Sequence, residues 1–210
     1  MSATDLDPLL EAGASALGVP LTPDQRARLL RLVAELMEWN GRFNLTAIRE
    51  PAGMVRKHLL DSLAVQPFIV GERIADVGTG PGFPGLPLAV VNPARRFTLV
   101  EATAKKARFV EHAAAALGLD NVEVVNARAE AWKPTQPFDL VVCRALGKLH
   151  EFIRFAGHLC ARDGRMLAMK GQYPEAELEA VPRGWRVVAI HRVDVPGLDA
   201  ERHLVELARA

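Results

Sequence analysis

The sequence predicts a three-layer α/β/α sandwich of the Rossmann-like type, with a mostly parallel seven-stranded sheet and an N-terminal helical extension. From Arg73 onwards, short apolar runs alternate with amphipathic segments, whereas the preceding part carries only helical periodicity. Alternating strands and helices are typical of a parallel sheet with crossover helices on both faces. We therefore predict a helical extension over residues 1–66, packed on the core, and a Rossmann-like domain over residues 67–210.

Apolar positions at helical spacing predict three helices in the extension. They cover residues 5–18, a segment that begins at Pro23 and stops at Asn40-Gly41, and a segment that begins at Pro51 and ends before Pro67. A capping box formed by Thr22 and Gln25 indicates where the second helix begins.

Seven short apolar runs in the second part are predicted to be strands. They cover residues 74–77, 97–100, 122–125, 138–142, 166–169, 185–191 and 203–208. Helices are expected at 84–91, 105–117 and 149–159, a short segment at 129–132, and a turn at Asp163-Gly164. Because no full helix separates the last two strands, we expect them to pair antiparallel at one edge of the sheet.

A glycine-rich loop, residues 76–85, follows the first predicted strand and is the strongest sign of a ligand site. Its glycines allow backbone turns and close approach of a ligand to the main chain. The spacing Gly80-x-Gly82-x-x-Gly85 matches the dinucleotide fingerprint, and Glu101 stands about twenty residues further on, where a ribose-binding acid is expected. An NAD(P)-dependent oxidoreductase is therefore one interpretation.

Three residues of the loop disfavour a pyrophosphate ligand. The carboxylate of Asp76 would repel phosphate, and Pro81 and Pro84 remove amide donors from the loop that should bind it. A cationic ligand without phosphate suits the loop better. S-adenosylmethionine has a sulfonium and an amino group at one end and a ribose diol at the other, which match Asp76 and Glu101 at the ends of the first two strands.

Composition limits the remaining possibilities. The net charge is only +1, so binding to a nucleic acid must depend on local clusters of cations. The two cysteines are too few for a disulfide framework, and the six histidines lack metal-ligand spacing. Asp5 and Asp7 stand where a signal peptide would be basic, and no apolar run reaches the roughly 18 residues of a membrane span. We expect a cytoplasmic protein without a metal site or a membrane segment.

The chain also resembles a known family over nearly its whole length, the bacterial small-subunit ribosomal RNA methyltransferase G family, formerly called glucose-inhibited division protein B. The matching motifs are NLTAI (44–48), HLLDSL (58–63), DVGTGPGFPGLPL (76–88), KKARF (105–109), RAE (128–130), CRA (143–145) and KG (170–171). The departures are small: Glu101-Ala102 stands where the family often has Asp-Ser, and Cys143 where it often has Ser.

The resemblance implies a class I S-adenosylmethionine-dependent methyltransferase that modifies N7 of a guanine in the 530 loop of 16S rRNA. It also implies cofactor contacts at Gly78, Phe83, Ala129, Glu130 and Arg144. With the residues argued from the loop, the predicted cofactor-binding set is Asp76, Gly78, Gly80, Gly82, Phe83, Glu101, Ala129, Glu130 and Arg144.

The predicted reaction needs no catalytic acid or base. Guanine N7 carries a lone pair and no proton at neutral pH, so an in-line attack on the methyl group depends on alignment and desolvation. The fourth strand is followed by Cys143-Arg144-Ala145 and not by the Asn/Asp-Pro-Pro-Tyr/Phe motif of enzymes that methylate exocyclic amines. Arg144 is assigned a positioning role. Cys143 as a covalent nucleophile is disfavoured because Val142 precedes it where proline is usual. An RNA methyltransferase acting on another atom is the second alternative.

Cations near the predicted site suggest contacts with the RNA backbone. The candidates are Arg56, Lys57, His58, Lys105, Lys106, Arg108, Lys148 and Lys170. For His58, a structural role is an equally good interpretation. The expected partner is 16S rRNA, the small ribosomal subunit or an assembly intermediate, and we expect a monomer because long coiled-coil heptads are absent from the sequence.

Overall fold

The computed structural model describes residues 3–210 of the protein, with side chains from Leu6 onwards. In chain order, the elements are α1 (Ala3–Ala16), α2 (Pro23–Phe43), α3 (Pro51–Met54), a π-helix (Val55–Leu60), α4 (Asp61–Leu63), β1 (Arg73–Val77), α5 (Gly85–Val91), β2 (Arg96–Val100), α6 (Ala104–Ala116), β3 (Val122–Val125), β4 (Phe138–Arg144), α7 (Leu149–Ala156), β5 (Cys160–Lys170), α8 (Glu175–Leu178), β6 (Trp185–Arg192) and β7 (His203–Arg209). Short 3-10 turns lie at Gln66–Phe68, Ala129–Ala131 and Gly157–Leu159.

The seven strands form one sheet in the order β3-β2-β1-β4-β5-β7-β6. β1 to β5 are parallel, whereas β7 pairs antiparallel with β5, and β6 pairs antiparallel with β7. The predicted fold class and the antiparallel pairing of the last two strands are both confirmed. Because the chain crosses from β3 to β4 on the other side of β1, the strand order reverses between β1 and β4.

Two hydrophobic clusters cover the two faces of the sheet. One contains Phe97 and Phe109 together with Leu10, Leu36 and Leu60 from the helices of the N-terminal part. The other is built around β4, β5 and α7 and contains Phe138, Phe152 and Met166. Since the first cluster extends across the predicted division at residue 66, the two-part description of the chain stays a prediction.

The predicted end of the second helix at Asn40-Gly41 is wrong. α2 continues to Phe43 and ends where Asn44 adopts a left-handed conformation, with φ of 49°. The side chain of Asn40 is buried and accepts a hydrogen bond from the amide of Thr46 at 2.9 Å. This hydrogen bond from the following loop offsets the weak helix-breaking tendency of the Asn-Gly pair.

The predicted turn at Asp163-Gly164 is also wrong, because both residues lie within β5. The strand pairs with β4 through a register shift between Phe138 and Leu140. A Cβ at Gly164 would lie 2.9 Å from the carbonyl oxygen of Asp139, so the glycine allows the close approach of two backbones.

Candidate active site

The carboxyl ends of β1, β2 and β4 meet at one edge of the sheet. Asp76 pairs with Leu99 of β2 on one side and with Val142 of β4 on the other. Glu101 follows β2 directly, and Arg144 is the last residue of β4. These three predicted site residues therefore come together where the strand order reverses, which is where open α/β sheets bind ligands.

The carboxylate of Asp76 is completely buried. Its Oδ2 accepts hydrogen bonds from the Thr79 hydroxyl at 2.6 Å and the Gly85 amide at 2.8 Å. Its Oδ1 has no hydrogen-bond partner among the residues that the structure describes. Burial raises the pKa of Asp76 from 3.8 to about 6, although the bonds from Thr79 and Gly85 and the Arg144 charge oppose the rise. An unpaired carboxylate oxygen at this edge suits a cationic ligand group.

The backbone of the glycine loop takes conformations that favour glycine. Gly78 and Gly80 have φ values of +69° and +61°, and the amides of Gly78 and Thr79 both donate to the carbonyl oxygen of Val100. A Cβ at Gly85 would lie 2.8 Å from Asp76 Oδ2. Glycine at position 85 therefore permits the contact that fixes the buried carboxylate.

Glu101 connects the glycine loop to the start of α6. Its Oε2 accepts a hydrogen bond from the Gly80 amide at 2.9 Å, and its Oε1 accepts one from the Thr103 amide at 2.7 Å. A carboxylate has about four lone-pair positions, so two amide donors leave room for hydroxyl donors such as those of a ribose.

A cavity of about 200 Å³ opens between the glycine loop and the connections after β2, β3 and β4. Its walls are mostly apolar and comprise Val77, Gly78, Val100, Ala102, Ala127, Arg128, Ala129, Glu130, Leu146 and Phe155. Three predicted cofactor residues, Gly78, Ala129 and Glu130, are among them. A larger cavity of about 450 Å³ lies at the opposite edge of the sheet, beside Arg96 and Asp120. We place the site at the smaller cavity because Asp76 and Glu101 lie at that edge.

Leu146 narrows this cavity and was missed by the sequence analysis. A Cβ at Gly78 would lie 2.8 Å from Leu146 Cδ1, so the leucine side chain lies directly against the glycine loop. The preceding Ala145 has φ of 57°, an uncommon value for a residue other than glycine. Strained backbone of this kind clusters at ligand sites, but no sequence signal marks it.

Phe83 lies outside the cavity lining. Its ring is buried and stacks on the His58 ring, with centroids 4.6 Å apart and an interplanar angle of 15°. The Arg144 guanidinium lies 5.5 Å from the centroid of the Phe83 ring. The structure thus brings Phe83, His58 and Arg144 together on the side of the N-terminal helices, and the predicted cofactor contacts of Phe83 and Arg144 stay predictions.

The hydrogen bonds of His58 determine where its proton lies. Arg144 approaches Nδ1 at 3.5 Å and can only donate, so Nδ1 is the acceptor. Nε2 then carries the proton and donates to the Thr46 hydroxyl at 3.0 Å. Burial and, to a lesser extent, the Arg144 charge lower the pKa of His58 from 6.5 to about 4. His58 is therefore a neutral part of a buried network at neutral pH.

Asp61 joins this network and was also missed. It is 3% exposed, and its two oxygens accept hydrogen bonds from Arg144 at 3.2 Å and from Arg202 at 2.6 Å. Arg144 donates in addition to the main-chain oxygen of Lys57 at 3.2 Å. Asp61 stands within the HLLDSL motif, but Arg202 lies so far along the chain that only the tertiary structure connects the two.

The remaining predicted RNA contacts differ in their accessibility. Lys57, Lys105, Arg108 and Lys148 are exposed, whereas Arg56 and Lys106 are half-buried. Lys170 is mostly buried, and its amino group donates to the carbonyl oxygen of Gly147 at 2.6 Å and to Glu177 at 2.7 Å. In the structure, Lys170 therefore fixes the loop that carries Leu146, and its predicted contact with RNA stays a prediction.

Comparison with known proteins relates the chain to one protein family. The family model described as rRNA small subunit methyltransferase G matches residues 25–205. The match covers most of the 210 residues of the chain.

The chain belongs to this family.

Relatives in the methyltransferase G family match almost end to end. The ribosomal RNA small subunit methyltransferase G of Methylococcus capsulatus is 51% identical over 199 residues, which are 95% of this chain and 97% of the relative. That of Marinobacter nauticus is 46% identical over 201 residues, 96% of this chain and 94% of the relative. The resemblance inferred from the motifs is confirmed.

Solved structures agree on the fold. The glycopeptide N-methyltransferase MtfA complexed with S-adenosylmethionine has a TM-score of 0.63 at 12% identity, covering 73% of this chain and 87% of its own. A methyltransferase from Thiobacillus denitrificans in complex with S-adenosylhomocysteine has a TM-score of 0.53 at 14% identity, covering 72% and 90%. Together with the family, they identify the chain as a class I S-adenosylmethionine-dependent methyltransferase. The dinucleotide-dependent oxidoreductase is not favoured.

The residues at the edge of the sheet fit this cofactor. The unpaired Oδ1 of Asp76 suits its cationic end, and the free lone pairs of Glu101 suit the ribose diol. Gly78 and Ala129 form apolar walls without bulky side chains. None of the helices in residues 3–210 has both the length and the hydropathy of a membrane span. Within the same residues, no cluster of three or more His, Cys, Asp and Glu side chains could hold a metal ion.

Proposed function

We propose that this methyltransferase transfers the methyl group of S-adenosylmethionine to N7 of a guanine in the 530 loop of 16S rRNA. Besides the family, one structural observation carries the proposal. The carboxyl end of β4 presents Arg144 and a buried Cys143, with no acid or amide in the positions that follow β4 directly, 145–147. An exocyclic amine needs an acceptor there to orient its N–H groups, whereas N7 has no proton to be removed.

The residues of the chain hold and align the two reactants. When bound, the cofactor supplies a methyl group on a positively charged sulfur. Asp76 and Glu101 hold its two polar ends, and the glycine loop lets it lie close to the main chain. Arg144 is suited to donate to O6 on the edge of guanine that also carries N7, which would orient the base without a proton transfer.

Cys143 does not act as a nucleophile in this proposal. Its thiol is buried, and burial together with the nearby Asp76 raises the pKa of Cys143 above its usual range. A thiol that stays protonated cannot attack a base, since the thiolate is the nucleophilic form. Formation of a covalent adduct with a pyrimidine is therefore disfavoured.

The proposed substrate is 16S rRNA, either free or within the small subunit or an assembly intermediate. We further propose that the enzyme acts in the cytoplasm as a monomer. Exposed cations beside the site, among them Lys57, Lys105 and Lys148, support binding to phosphates.

The test incubates the enzyme and labelled S-adenosylmethionine with 16S rRNA, and separately with small subunits, from cells that lack the protein. Borohydride and aniline cleavage then maps N7-methylguanine. We expect one cleavage site within the 530 loop, and its loss when the target guanine is replaced by adenine. A label at another atom or outside this loop would refute the substrate assignment. Binding of NADH in place of S-adenosylmethionine would refute the enzyme class.

A further inference from the structure

One exposed surface beside the site combines an aromatic ring with unpaired cations. It is formed by the end of α2, the loop after it and the start of α6, and we call it the Phe43 surface. Its residues are Phe43, Arg42, Arg49, Lys105 and Arg108. The side chain of Phe43 remains 40% exposed, and all four cationic residues are exposed.

The ring of Phe43 packs against the ring of Trp39, which holds it in place. Trp39 lies one turn earlier on α2, with its ring centroid 5.3 Å from that of Phe43. Trp39 contacts α6 in turn, at 5.6 Å from the Phe109 ring and 5.0 Å from the His112 ring. Phe43 therefore rests on a fixed platform that joins two helices, and an ordered ring loses little entropy when another ring stacks on it.

The backbone around Phe43 is fixed as well. The amino group of Lys105 donates to the carbonyl oxygen of Phe43 at 3.1 Å. Asn44 ends the helix in a left-handed conformation, and its side-chain oxygen accepts a hydrogen bond from Arg49 at 2.8 Å. Lys105 and Arg49 are thus attached to the same segment as the ring.

Charge distribution along α2 separates this surface from the rest of the helix. In the first half, Arg26, Arg28 and Arg31 each form an ion pair with a carboxylate. On the Phe43 surface, none of the four cations forms an ion pair within the part of the chain that the structure describes, although Glu38 and Glu50 are close in sequence. Positive charge is neutralised at one end of α2 and available to an anionic partner at the other.

The Phe43 surface is directly connected to the site. Thr46, three residues after Phe43, accepts the hydrogen bond from His58, which stacks on Phe83 of the glycine loop. Lys105 follows closely after Glu101, whose carboxylate binds the glycine loop. The Phe43 surface is therefore adjacent to the site, where it can contact the part of a polyanion that flanks the reacting base.

From these observations we infer that the Phe43 surface binds an unpaired RNA segment that flanks the target guanine, with one base stacked on the Phe43 ring and phosphates bound by Arg42, Lys105 and Arg108. The inference rests on the proposed function, which supplies an RNA substrate. Stacking on an aromatic ring tolerates any base, and it requires the base to be unpaired. A rigid exposed ring with exposed cations on the same surface provides both the stacking face and the phosphate contacts.

The test compares the wild type with Phe43→Ala, Phe43→Leu and Phe43→Trp on unmethylated 16S rRNA. We expect Phe43→Ala and Phe43→Leu to raise the KM for RNA about tenfold, because one stacked base is lost, while kcat at saturating RNA stays unchanged. Phe43→Trp should restore the wild-type KM. The Kd for S-adenosylmethionine should change less than about twofold in all three variants, since the ring does not line the cofactor cavity.

Met37→Ala is the matched control, because Met37 has almost the same exposure, 41%, on another face of α2. Its KM for RNA should equal that of the wild type. In addition, Lys105→Gln should lower the slope of log binding constant against log salt concentration by about 0.7, the value expected for one phosphate contact to a single strand.

Three outcomes would overturn the inference. The first is that Phe43→Ala and Met37→Ala have the same KM for RNA. The second is that Phe43→Leu and Phe43→Trp both keep the wild-type KM for RNA, which would indicate apolar contact and not stacking. An effect seen on small subunits but not on free 16S rRNA would indicate a protein partner. If the wild type itself methylates no guanine N7, the proposed function fails; if it does and Phe43→Ala is normal, only the Phe43 surface fails.

Discussion

Two buried aspartates beside the site, Asp76 and Asp61, lie in opposite electrostatic surroundings. Asp76 accepts hydrogen bonds only from neutral donors, Thr79 and the Gly85 amide, and one of its oxygens has no partner within the described residues. Asp61 is bound by two guanidinium groups, those of Arg144 and Arg202. Two aspartates beside the site therefore have different roles, which their surroundings determine.

The difference indicates that one carboxylate is suited to ligand binding and the other to holding the structure together. A carboxylate that is buried without a cation keeps a capacity to bind one, which suits the side of the site that receives a positively charged cofactor. A carboxylate that is paired twice instead anchors its arginines, and through them connects the end of β4 and the segment just before β7 to the N-terminal helices. The first region is suited to a cationic ligand, and the second holds together segments that are distant in the chain.

The largest effect is expected from Asp61→Ala. Removing this carboxylate leaves two guanidinium groups without their partner, which should lower the free energy of unfolding by about 4 kcal/mol. This loss in the free energy of unfolding is measured by urea unfolding at neutral pH. Asp24→Ala is the control, because Asp24 pairs with Arg28 at 2.8 Å but its side chain is 71% exposed. The control should lose less than about 0.5 kcal/mol. Similar losses in both variants would show that Asp61 anchors nothing.

The second effect concerns His58, in the same region. Its pKa is 6.5 when unfolded and about 4 when folded, so its contribution to stability is present above pH 6.5 and is lost as the pH falls through 4. Between pH 7 and pH 4, the wild type should lose about 3 kcal/mol more than His58→Gln does, measured by urea unfolding at each pH. His158→Gln, at an exposed histidine, should follow the wild type. Parallel curves for wild type and His58→Gln would contradict the assignment of a buried neutral imidazole.

The smallest effect concerns Asp76 and has the opposite sign. Its pKa is raised from 3.8 to about 6 in the folded protein, so its contribution to stability is fully present below pH 3.8 and is lost as the pH rises through about 6. Between pH 7 and pH 4, the wild type should therefore gain about 2 kcal/mol relative to Asp76→Asn. Since the cofactor is expected to stabilise the charged carboxylate, saturating S-adenosylmethionine should reduce this difference. If the gain is the same with and without cofactor, Asp76 only fixes the loop.

Much of the fold follows from local patterns in the sequence. Six of the seven strands were predicted within a few residues because each is a short apolar run bounded by turn residues, whereas β5 begins six residues before its predicted start. The Thr22 and Gln25 capping box marked the start of α2. The two wrong boundaries, Asn40-Gly41 and Asp163-Gly164, have one cause. In both places a contact outside the element, to the following loop at Thr46 or to the backbone of β4, overrode the tendency of the two residues to end the element.

In the candidate site, too, some residues were predictable from local sequence patterns and others were not. The glycine loop, Asp76 and Glu101 were predictable because consecutive residues carry the signal and because parallel strands end at one edge. Leu146, Asp61 and Arg202 were not, since their roles depend on residues that are distant in the chain.

By itself, the sequence determined the α/β architecture, the ligand-binding loop and the family, because periodicity and motifs are local properties of the chain. Only the tertiary structure decided which carboxylate has a cation beside it and which has none. It also placed Arg144 towards Asp61 and His58 and left the ring of Phe43 exposed among unpaired cations. The physical reason is that burial and charge pairing depend on which distant segments pack together, and local sequence patterns do not predict that packing.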